Sequence, residues 1–177
     1  KELEAKLVKF DMSEYMERHS VSKLIGAPPG YVGHSEKSLL AEKAEQSNSW
    51  VFLFDEIEKA HHKLYDFLLS LLDEGTCTDN MGVTLDFSES IFIFTSNQGV
   101  SDIKTERVGF KSGEEEVTEK VTSDIIDKAV KRHFSPEFLN RLDAIVHFNN
   151  LTKPQIRQIV SLQLKTIPIV ITDPLIN

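Results

Sequence analysis

The segment Trp50-Val51-Phe52-Leu53-Phe54-Asp55-Glu56 is the clearest indication of a fold in this chain. Five large apolar residues run directly into two adjacent carboxylates, and such a run predicts a strand buried on both faces of a parallel sheet. Open α/β sheets place their chemistry at the carboxyl ends of the strands, where these two acids would lie. Asp and Glu also favour the first turn of a helix, so a purely structural explanation stays open here.

Composition limits the classes of function. The chain has 177 residues, 40% hydrophobic and 27% charged, which suffices for one domain with a hydrophobic core. A net charge of -8 argues against a nucleic-acid partner, and no apolar run is long enough to predict a membrane span. Cys77 is the single cysteine, which excludes an internal disulfide and a cysteine zinc site. We therefore expect a cytoplasmic location.

Strands and helices are predicted to alternate. Apolar runs predict strands at residues 7–10, 51–54, 91–94 and 144–148. Apolar residues with helical spacing predict helices around residues 64–72, 125–133 and 156–164. The last helix follows a capping box, Thr152-Lys153-Pro154-Gln155, with proline in its first turn. The alternation indicates an α/β fold with a mostly parallel sheet flanked by helices.

Three segments interrupt this alternation. Residues 26–33 are rich in glycine and proline and predict a loop, and the polar residues 98–119 predict a surface loop. Residues 76–86 alternate around Asp79-Asn80-Met81-Gly82 and predict a β-hairpin.

The last predicted strand ends near Asn149, directly before the capped helix. We therefore expect a boundary between residues 1–150 and residues 151–177.

Asn97 is a candidate partner of the acidic pair. It closes the triplet Thr95-Ser96-Asn97, which follows the predicted strand 91–94. Its amide could orient a water against a phosphate, or the triplet could simply begin a turn. In nucleotide hydrolases one carboxylate holds Mg²⁺, usually through water, while another polarises the attacking water. Asp55, Glu56 and Asn97 together favour that chemistry.

Arg141 falls near the end of a short helix that Ser135 can cap and Pro136 can open. Its guanidinium could pair with Asp143, or it could project across a subunit boundary towards a phosphate. The spacing alone leaves both possibilities open.

Gly30-Tyr31-Val32-Gly33 places an aromatic residue between glycines. The glycines make the backbone pliable, and tyrosine offers a large amphipathic surface. Such a loop could grip an extended polypeptide without reading its sequence. The alternative is a compact loop with Tyr31 folded inward.

Four blocks, in the same order and spacing, resemble the second ATPase module of the ClpA/ClpB (Clp/Hsp100) AAA+ unfoldases. They are residues 10–33, residues 54–61 (Phe54-Asp55-Glu56-Ile57-Glu58-Lys59-Ala60-His61), Thr95-Ser96-Asn97 and residues 136–143. The resemblance runs from about Leu7 to about Leu164. It implies a partial AAA+ P-loop NTPase large subdomain over residues 1–150, with an inserted β-hairpin, and the start of the small helical lid over residues 151–177.

The resemblance also implies roles for particular residues. Asp55 and Glu56 would be the Walker B pair, with Asp55 holding Mg²⁺ through water and Glu56 activating the attacking water. Asn97 would sense the γ-phosphate, and Arg141 would be an arginine finger acting on ATP in the neighbouring subunit. The pore loop that grips substrate would consist of Gly30, Tyr31, Val32 and Gly33.

Cofactors and partners follow from the same resemblance. The family uses ATP and Mg²⁺, assembles as a hexameric ring, and threads unfolded or tagged proteins through its centre. Some members dock a ClpP-type peptidase through a short loop that Val108-Gly109-Phe110 resembles, although an ordinary loop with an apolar anchor explains this tripeptide equally simply.

Departures from the family pattern limit these expectations. No G-x-x-x-x-G-K-[ST] phosphate loop occurs in the 177 residues, and in the family this loop and its central strand lie upstream of the matched segment. Lys37-Ser38 stands where the family has a glycine pair, and Val83 and Ser88 stand where it has arginines. The chain ends inside the expected lid.

Two expectations follow from these departures. The isolated chain should be inactive as an ATPase, and residues 167–172 are a candidate to fill the missing strand position. The alternative to a fragment of an unfoldase is a truncated or degenerate paralogue that does not hydrolyse ATP and acts as a protein-interaction module.

Overall fold

The computed structural model describes residues 6–27, 30, 36–47, 49–99, 119–148 and 151–166. The chain divides into two compact units, Lys1–Ile145 and Val146–Asn177. In chain order, the first unit contains β1 (Lys6–Asp11), α1 (Arg18–Ile25), α2 (Leu39–Gln46), β2 (Trp50–Asp55), α3 (His62–Glu74), β3 (Thr76–Thr78), β4 (Thr84–Asp86), β5 (Ile91–Phe94), α4 (Glu119–His133) and α5 (Pro136–Leu139). The second unit contains α6 (Lys153–Thr166).

A parallel sheet in the order β1-β2-β5 forms the framework of the first unit. Its register pairs Phe10 with Phe54 and Asp11 with Asp55, and pairs Phe54 with Phe94. Three of the four predicted strands are therefore confirmed, together with their parallel arrangement. Because parallel strands end at one edge, the residues that follow β1, β2 and β5 are brought close together.

One face of the sheet carries an aromatic core. Phe52 and Phe54 are fully buried, and the ring of Phe52 stacks on those of Phe10 and Phe92 at centroid distances of 6.4 and 5.3 Å. Buried leucines of α3 belong to the same hydrophobic cluster. Helix α3 thus covers this face, as its predicted apolar stripe requires.

The prediction that the strand of residues 50–54 is buried on both faces is confirmed for one face only, within the part of the chain that the structure describes. On the second face Leu7 is 66% exposed, and Ile91 and Ile93 are 41% and 43% exposed. In β2 the fully buried residues alternate with half-buried ones. An unbroken apolar run does not reveal how many faces are covered, because that depends on elements far away in the sequence.

The predicted β-hairpin is confirmed. Strands β3 and β4 pair antiparallel, with Thr76 opposite Asp86 and Thr78 opposite Thr84. Helix α3 is capped by Gly75 in the left-handed conformation, with φ 67°, and the Gly75 carbonyl accepts the Phe87 N–H over 2.8 Å. The hairpin is thereby tied at its base to the end of α3. In β3 the thiol of Cys77 is half-buried, and this burial raises its pKa to about 11.

The fourth predicted strand is wrong. Residues 144–148 have no regular secondary structure, and Ile145 and Phe148 are 51% and 90% exposed. An apolar run becomes a strand only where another backbone pairs with it, and such pairing is set by distant sequence. The boundary between the two compact units falls within this run, after Ile145.

The remaining helix predictions are confirmed by α3, α4 and α6. One bond of the predicted capping box before α6 is present, since the Thr152 N–H donates to Gln155 Oε1 over 2.8 Å. Ser135 caps α5, where its Oγ accepts the Phe138 N–H over 3.2 Å. Most of the predicted loop 98–119 and all of residues 167–172 lie outside the described residues.

Candidate active site

The candidate active site lies at the carboxyl edge of the parallel sheet. Strands β1 and β2 end in the paired residues Asp11 and Asp55, and β5 leads directly into Thr95. The ladder continues one step beyond β5, because the Thr95 N–H donates to the Phe54 carbonyl over 3.0 Å. This extension fixes Thr95 beside the acidic pair.

Asp55 is held from two sides. Its Oδ1 accepts the Thr95 hydroxyl over 2.5 Å, and its Oδ2 lies 2.5 Å from Lys9 Nζ. The hydrogen bond from Lys9 and then that from Thr95 lower the pKa of the Asp55 carboxyl below its usual 3.8. Asp55 is therefore a carboxylate at neutral pH, with 30% of its side chain exposed at the sheet edge.

Glu56 has an unusual backbone conformation. Among the described residues it is the single non-glycine residue with a positive φ, at φ 57° and ψ 50°. Two hydrogen bonds to Thr95 hold it there: the Glu56 N–H donates to Thr95 Oγ1 over 3.1 Å, and the Ile57 N–H donates to the Thr95 carbonyl over 3.0 Å. The left-handed region costs a non-glycine residue about 1–2 kcal/mol, so these contacts offset a real strain.

The Glu56 side chain is engaged at both oxygens. Its Oε2 lies 2.6 Å from Lys59 Nζ, and its Oε1 accepts the Asn97 side-chain amide over 3.3 Å. The structure thus brings Asn97 to the acidic pair, as the parallel-sheet argument predicts. The backbone N–H of Asn97 donates to Glu58 Oε1 over 3.0 Å, which anchors it a second time.

Below the turn, Tyr65 of α3 supports the site from the core. Its hydroxyl donates to the Ile57 carbonyl over 2.6 Å. Burial, and then the charge of Glu58, raise the pKa of Tyr65, which keeps this donor protonated. The turn that follows β2 is therefore fixed both by Thr95 at the edge and by Tyr65 beneath it.

Arg141 does not pair with Asp143, contrary to one of the two possibilities raised by its spacing. Its Nε forms an ion pair with Asp73 Oδ1, near the end of α3. The reason is tertiary packing: the Phe138 ring of α5 packs edge-on against Tyr65 of α3, which carries the following turn to α3. None of the contacts of the described residues joins Arg141 to Asp55 or Glu56.

The predicted loop sites are mostly outside the described residues. Of Gly30, Tyr31, Val32 and Gly33, only Gly30 is described, as an exposed residue with φ 85°. Val108, Gly109 and Phe110 all lie outside. An open cavity of about 520 Å³, lined by α1 and residues 36–39, lies apart from the acidic pair.

The side chains at the carboxyl edge of the sheet determine which metal ion could bind there. Mg²⁺ prefers carboxylate oxygens and keeps several of its waters, and Asp55 is an ionised, accessible carboxylate. Because both of its oxygens already have partners, a magnesium ion fits as a water-mediated neighbour of Asp55. Among the described residues, no cluster of three His, Cys, Asp or Glu side chains is arranged to bind a metal directly.

Sequence reasoning missed Lys9, Thr95 and Lys59 as contributors to the site. The signal for Lys9 was its position two residues before Asp11, which puts both side chains on one sheet face. Lys59 lies three residues after Glu56, a spacing that brings side chains together in a helical turn. Thr95 is the first residue after β5, a position where its hydroxyl lies beside the end of the neighbouring strand β2.

Comparison with known proteins identifies the family. The family described as AAA domain (Cdc48 subfamily) matches residues 1–145, most of the chain. The chain belongs to this AAA domain family. This result confirms the predicted AAA+ fold class.

Relatives of this AAA domain are Clp proteins. It is 45% identical over 168 residues to the ATP-dependent Clp protease ATP-binding subunit ClpA homolog of Porphyra purpurea, covering 93% of this chain and 20% of the relative. It is 46% identical over 160 residues to the negative regulator of genetic competence ClpC/MecB of Bacillus subtilis (strain 168), covering 90% and 20%. The AAA domain therefore spans about a fifth of the length of the curated relatives it matches.

A solved structure of a related protein supports the same family assignment. The AAA domain superposes on a closed-state structure of Hsp104 with ATPγS and FITC casein at a TM-score of 0.73 and 40% identity. That match covers 90% of this chain and 26% of the other. The resemblance to the Clp/Hsp100 family is confirmed. In the part of the AAA domain that the structure describes, no helix has the length and apolar character needed to cross a membrane.

Proposed function

We propose that this AAA domain is part of an ATP-dependent protein unfoldase or disaggregase that threads polypeptides through a hexameric ring. The observation that carries the proposal is the meeting of Asp55, Glu56 and Asn97 at one sheet edge, with Asn97 donating to Glu56. An ionised carboxylate, a second carboxylate and an amide at one point are among the groups that phosphoryl transfer to water uses.

The proposed division of labour begins with the two carboxylates. Asp55, kept ionised by Lys9 and Thr95, would hold Mg²⁺ through water. Glu56 would accept a proton from the attacking water, for which its carboxylate must leave Lys59 or Asn97. Bound ATP with Mg²⁺ supplies the phosphoanhydride that is cleaved.

Asn97 and Arg141 would act on the phosphate rather than on the water. The Asn97 amide can exchange its bond to Glu56 for one to a γ-phosphate oxygen, which would couple sensing to release of Glu56. Arg141 would serve ATP in a neighbouring subunit. Its present partner Asp73 is 39% exposed, and such surface pairs contribute only about 0–1 kcal/mol, so Arg141 can be released at little cost.

The proposed substrate is an unfolded or tagged polypeptide, gripped by Gly30, Tyr31, Val32 and Gly33. The Hsp104 structure that resembles this chain contains casein, which supports a protein substrate. The names of the Clp protease ATP-binding subunit relatives support a protease partner. The finer part of the proposal, a ClpP-type peptidase docked through Val108, Gly109 and Phe110, rests on the sequence of that tripeptide. We place the assembled protein in the cytoplasm.

Two variants of a full-length protein that carries this chain test the proposal. Glu56→Gln keeps the shape of the side chain but removes the base, and we expect ATP turnover to fall at least about a hundredfold. Glu89→Gln, at an exposed position beyond the hairpin, is the matched control and should turn over normally. Unchanged turnover in Glu56→Gln would contradict the role of Glu56.

Tyr31→Ala separates a polypeptide motor from other nucleotide-driven motors. We expect the variant to lose translocation of an unfolded protein while ATP turnover is retained. Phe110→Ala tests the peptidase partner in the same way, through loss of peptidase stimulation. Translocation at the normal rate in Tyr31→Ala would rule out the proposed grip.

The alternative, a non-hydrolysing paralogue that acts as an interaction module, is favoured by three differences from the family: Lys37-Ser38, Val83 and Ser88. The upstream coding sequence distinguishes the two. A G-x-x-x-x-G-K-[ST] motif before Lys1 supports the enzyme, and its absence supports the module.

A further inference from the structure

The tip of the β3–β4 hairpin is a preorganised turn. Asp79 Oδ1 accepts the backbone N–H groups of Met81 and Val83, each over 2.8 Å, and the Asp79 N–H donates to the Val83 carbonyl over 2.9 Å. At the other end of the hairpin Phe87 is buried in the core. The backbone of the tip on both sides of Asn80 is therefore held by hydrogen bonds to Asp79.

Asn80 reaches both ends of the segment that joins α1 to α2. Its Nδ2 donates to the Glu36 carbonyl over 3.1 Å, just before α2. At the end of α1, its side chain lies against Gly26 so closely that a Cβ on Gly26 would come within 2.6 Å of Asn80 Oδ1. With φ 98°, position 26 requires glycine for its backbone as well as for this contact.

Both contact points are themselves anchored. The Gly26 N–H donates to the Ser22 carbonyl over 2.8 Å and closes α1. On the other side, Lys37 Nζ lies 2.6 Å from both carboxylate oxygens of Glu45, and Ser38 Oγ accepts the Ala41 N–H and caps α2. The Lys37-Ser38 pair, which departs from the family pattern, thus ties the chain to α2 directly after the residue that Asn80 binds.

We propose that Asn80 is a positioning residue that braces Gly26 at the end of α1 and Glu36 just before α2, and so sets where the segment between these two residues begins and ends. This inference rests on the proposed function of that segment in gripping substrate. The brace would act by fixing the distance between the two ends of the segment, because that distance limits the conformations a loop can adopt.

Amide hydrogen exchange on the 177-residue chain tests the brace. In Asn80→Ala, and in Asn80→Asp, which keeps the size but loses the donor, we expect exchange at Gly26 and Ala41 to rise about 2- to 10-fold, the effect of one lost hydrogen bond. Met81→Ala, at a 60% exposed position in the same turn, is the matched control. Equal exchange in Asn80→Ala, Asn80→Asp and Met81→Ala would overturn the brace.

The functional consequence is measured in a full-length protein that carries this chain, as polypeptide translocated per ATP hydrolysed. We expect this ratio to fall about twofold or more in Asn80→Ala and to stay constant in Met81→Ala. If Tyr31→Ala abolishes translocation but Asn80→Ala leaves the ratio unchanged, the brace is wrong and the proposed function stands. If Tyr31→Ala also translocates normally, the proposed function fails, and this inference with it.

Discussion

The Thr95 hydroxyl donates to Asp55 Oδ1 over 2.5 Å, and Thr95 Oγ1 also accepts the Glu56 backbone N–H over 3.1 Å. One side chain of the strand β5 edge therefore orients the first carboxylate and fixes the backbone of the second. A hydroxyl can donate once and accept at the same time, so neither contact competes with the other.

Replacement of Thr95 by valine should remove both contacts while keeping the shape of the side chain. We expect the free energy of unfolding to fall by about 1–3 kcal/mol, because a partly buried N–H and a carboxylate oxygen lose their partner. Urea denaturation at neutral pH measures this change. Thr95→Ser retains the hydroxyl and should lose much less, so similar losses in the two variants would contradict the assigned role.

The ion pair between Lys9 and Asp55 should make stability depend on pH. The pKa of Asp55 is lowered in the folded chain, so its contribution is present above its unfolded value near 3.8 and is lost as pH falls through the folded pKa. The pKa of Lys9 is raised above 10.5, so its contribution is present below 10.5 and is lost as pH rises through the folded pKa.

Lys9→Met tests this dependence. We expect the variant to be less stable than the parent chain at pH 7, and the difference to shrink as the pH falls below 3.8. Urea denaturation across pH 2–7 measures the difference, and NMR titration should show the Asp55 pKa rising in the variant. Lys131→Met, at an exposed position of α4, is the control. A difference that is constant across this pH range would contradict the pairing.

Phe52 should be the most sensitive position of the aromatic core. It is fully buried and its ring contacts those of Phe10, Phe87 and Phe92. Phe52→Ala should cost about 3–5 kcal/mol of unfolding free energy, since it removes buried surface and leaves a cavity. Thermal and urea denaturation measure the loss. Phe148→Ala removes the same side chain from a position that is 90% exposed and should cost little.

The 177-residue chain alone should release no phosphate from ATP above background. The reason is that no G-x-x-x-x-G-K-[ST] loop occurs in it, so the backbone N–H groups that would cradle the phosphates are not supplied. A phosphate-release assay with Mg²⁺, run beside the Glu56→Gln variant, measures this. Turnover in the parent chain that disappears in Glu56→Gln would show the expectation to be wrong.

Local pattern was sufficient to predict much of this structure. Apolar runs located β1, β2 and β5, helical spacing located α3, and the turn Asp79-Asn80-Met81-Gly82 located the hairpin. The proximity of Asn97 to Glu56 followed from one general property, that parallel strands end at a common edge. These features depend on sequence neighbours or on fixed sheet geometry, and both are visible in a single chain.

Features that depend on distant partners could not be predicted. Residues 144–148 have the composition of a strand, but strand formation needs a pairing backbone that the run does not specify. Arg141 meets Asp73 because α5 packs on α3, a contact between residues 68 positions apart in sequence number. The Lys9–Asp55 pair likewise depends on the order of strands in the sheet.

At Glu56 the residue type that best suits the left-handed backbone differs from the residue type that the proposed chemistry needs. Glycine would adopt this conformation without strain, so its substitution there would relieve about 1 kcal/mol of backbone cost while deleting the carboxylate. Relief of backbone strain alone would therefore favour glycine at position 56. A consensus or thermostability design applied to this chain should exclude that position, because there the most favourable residue for the backbone is the one that abolishes the site.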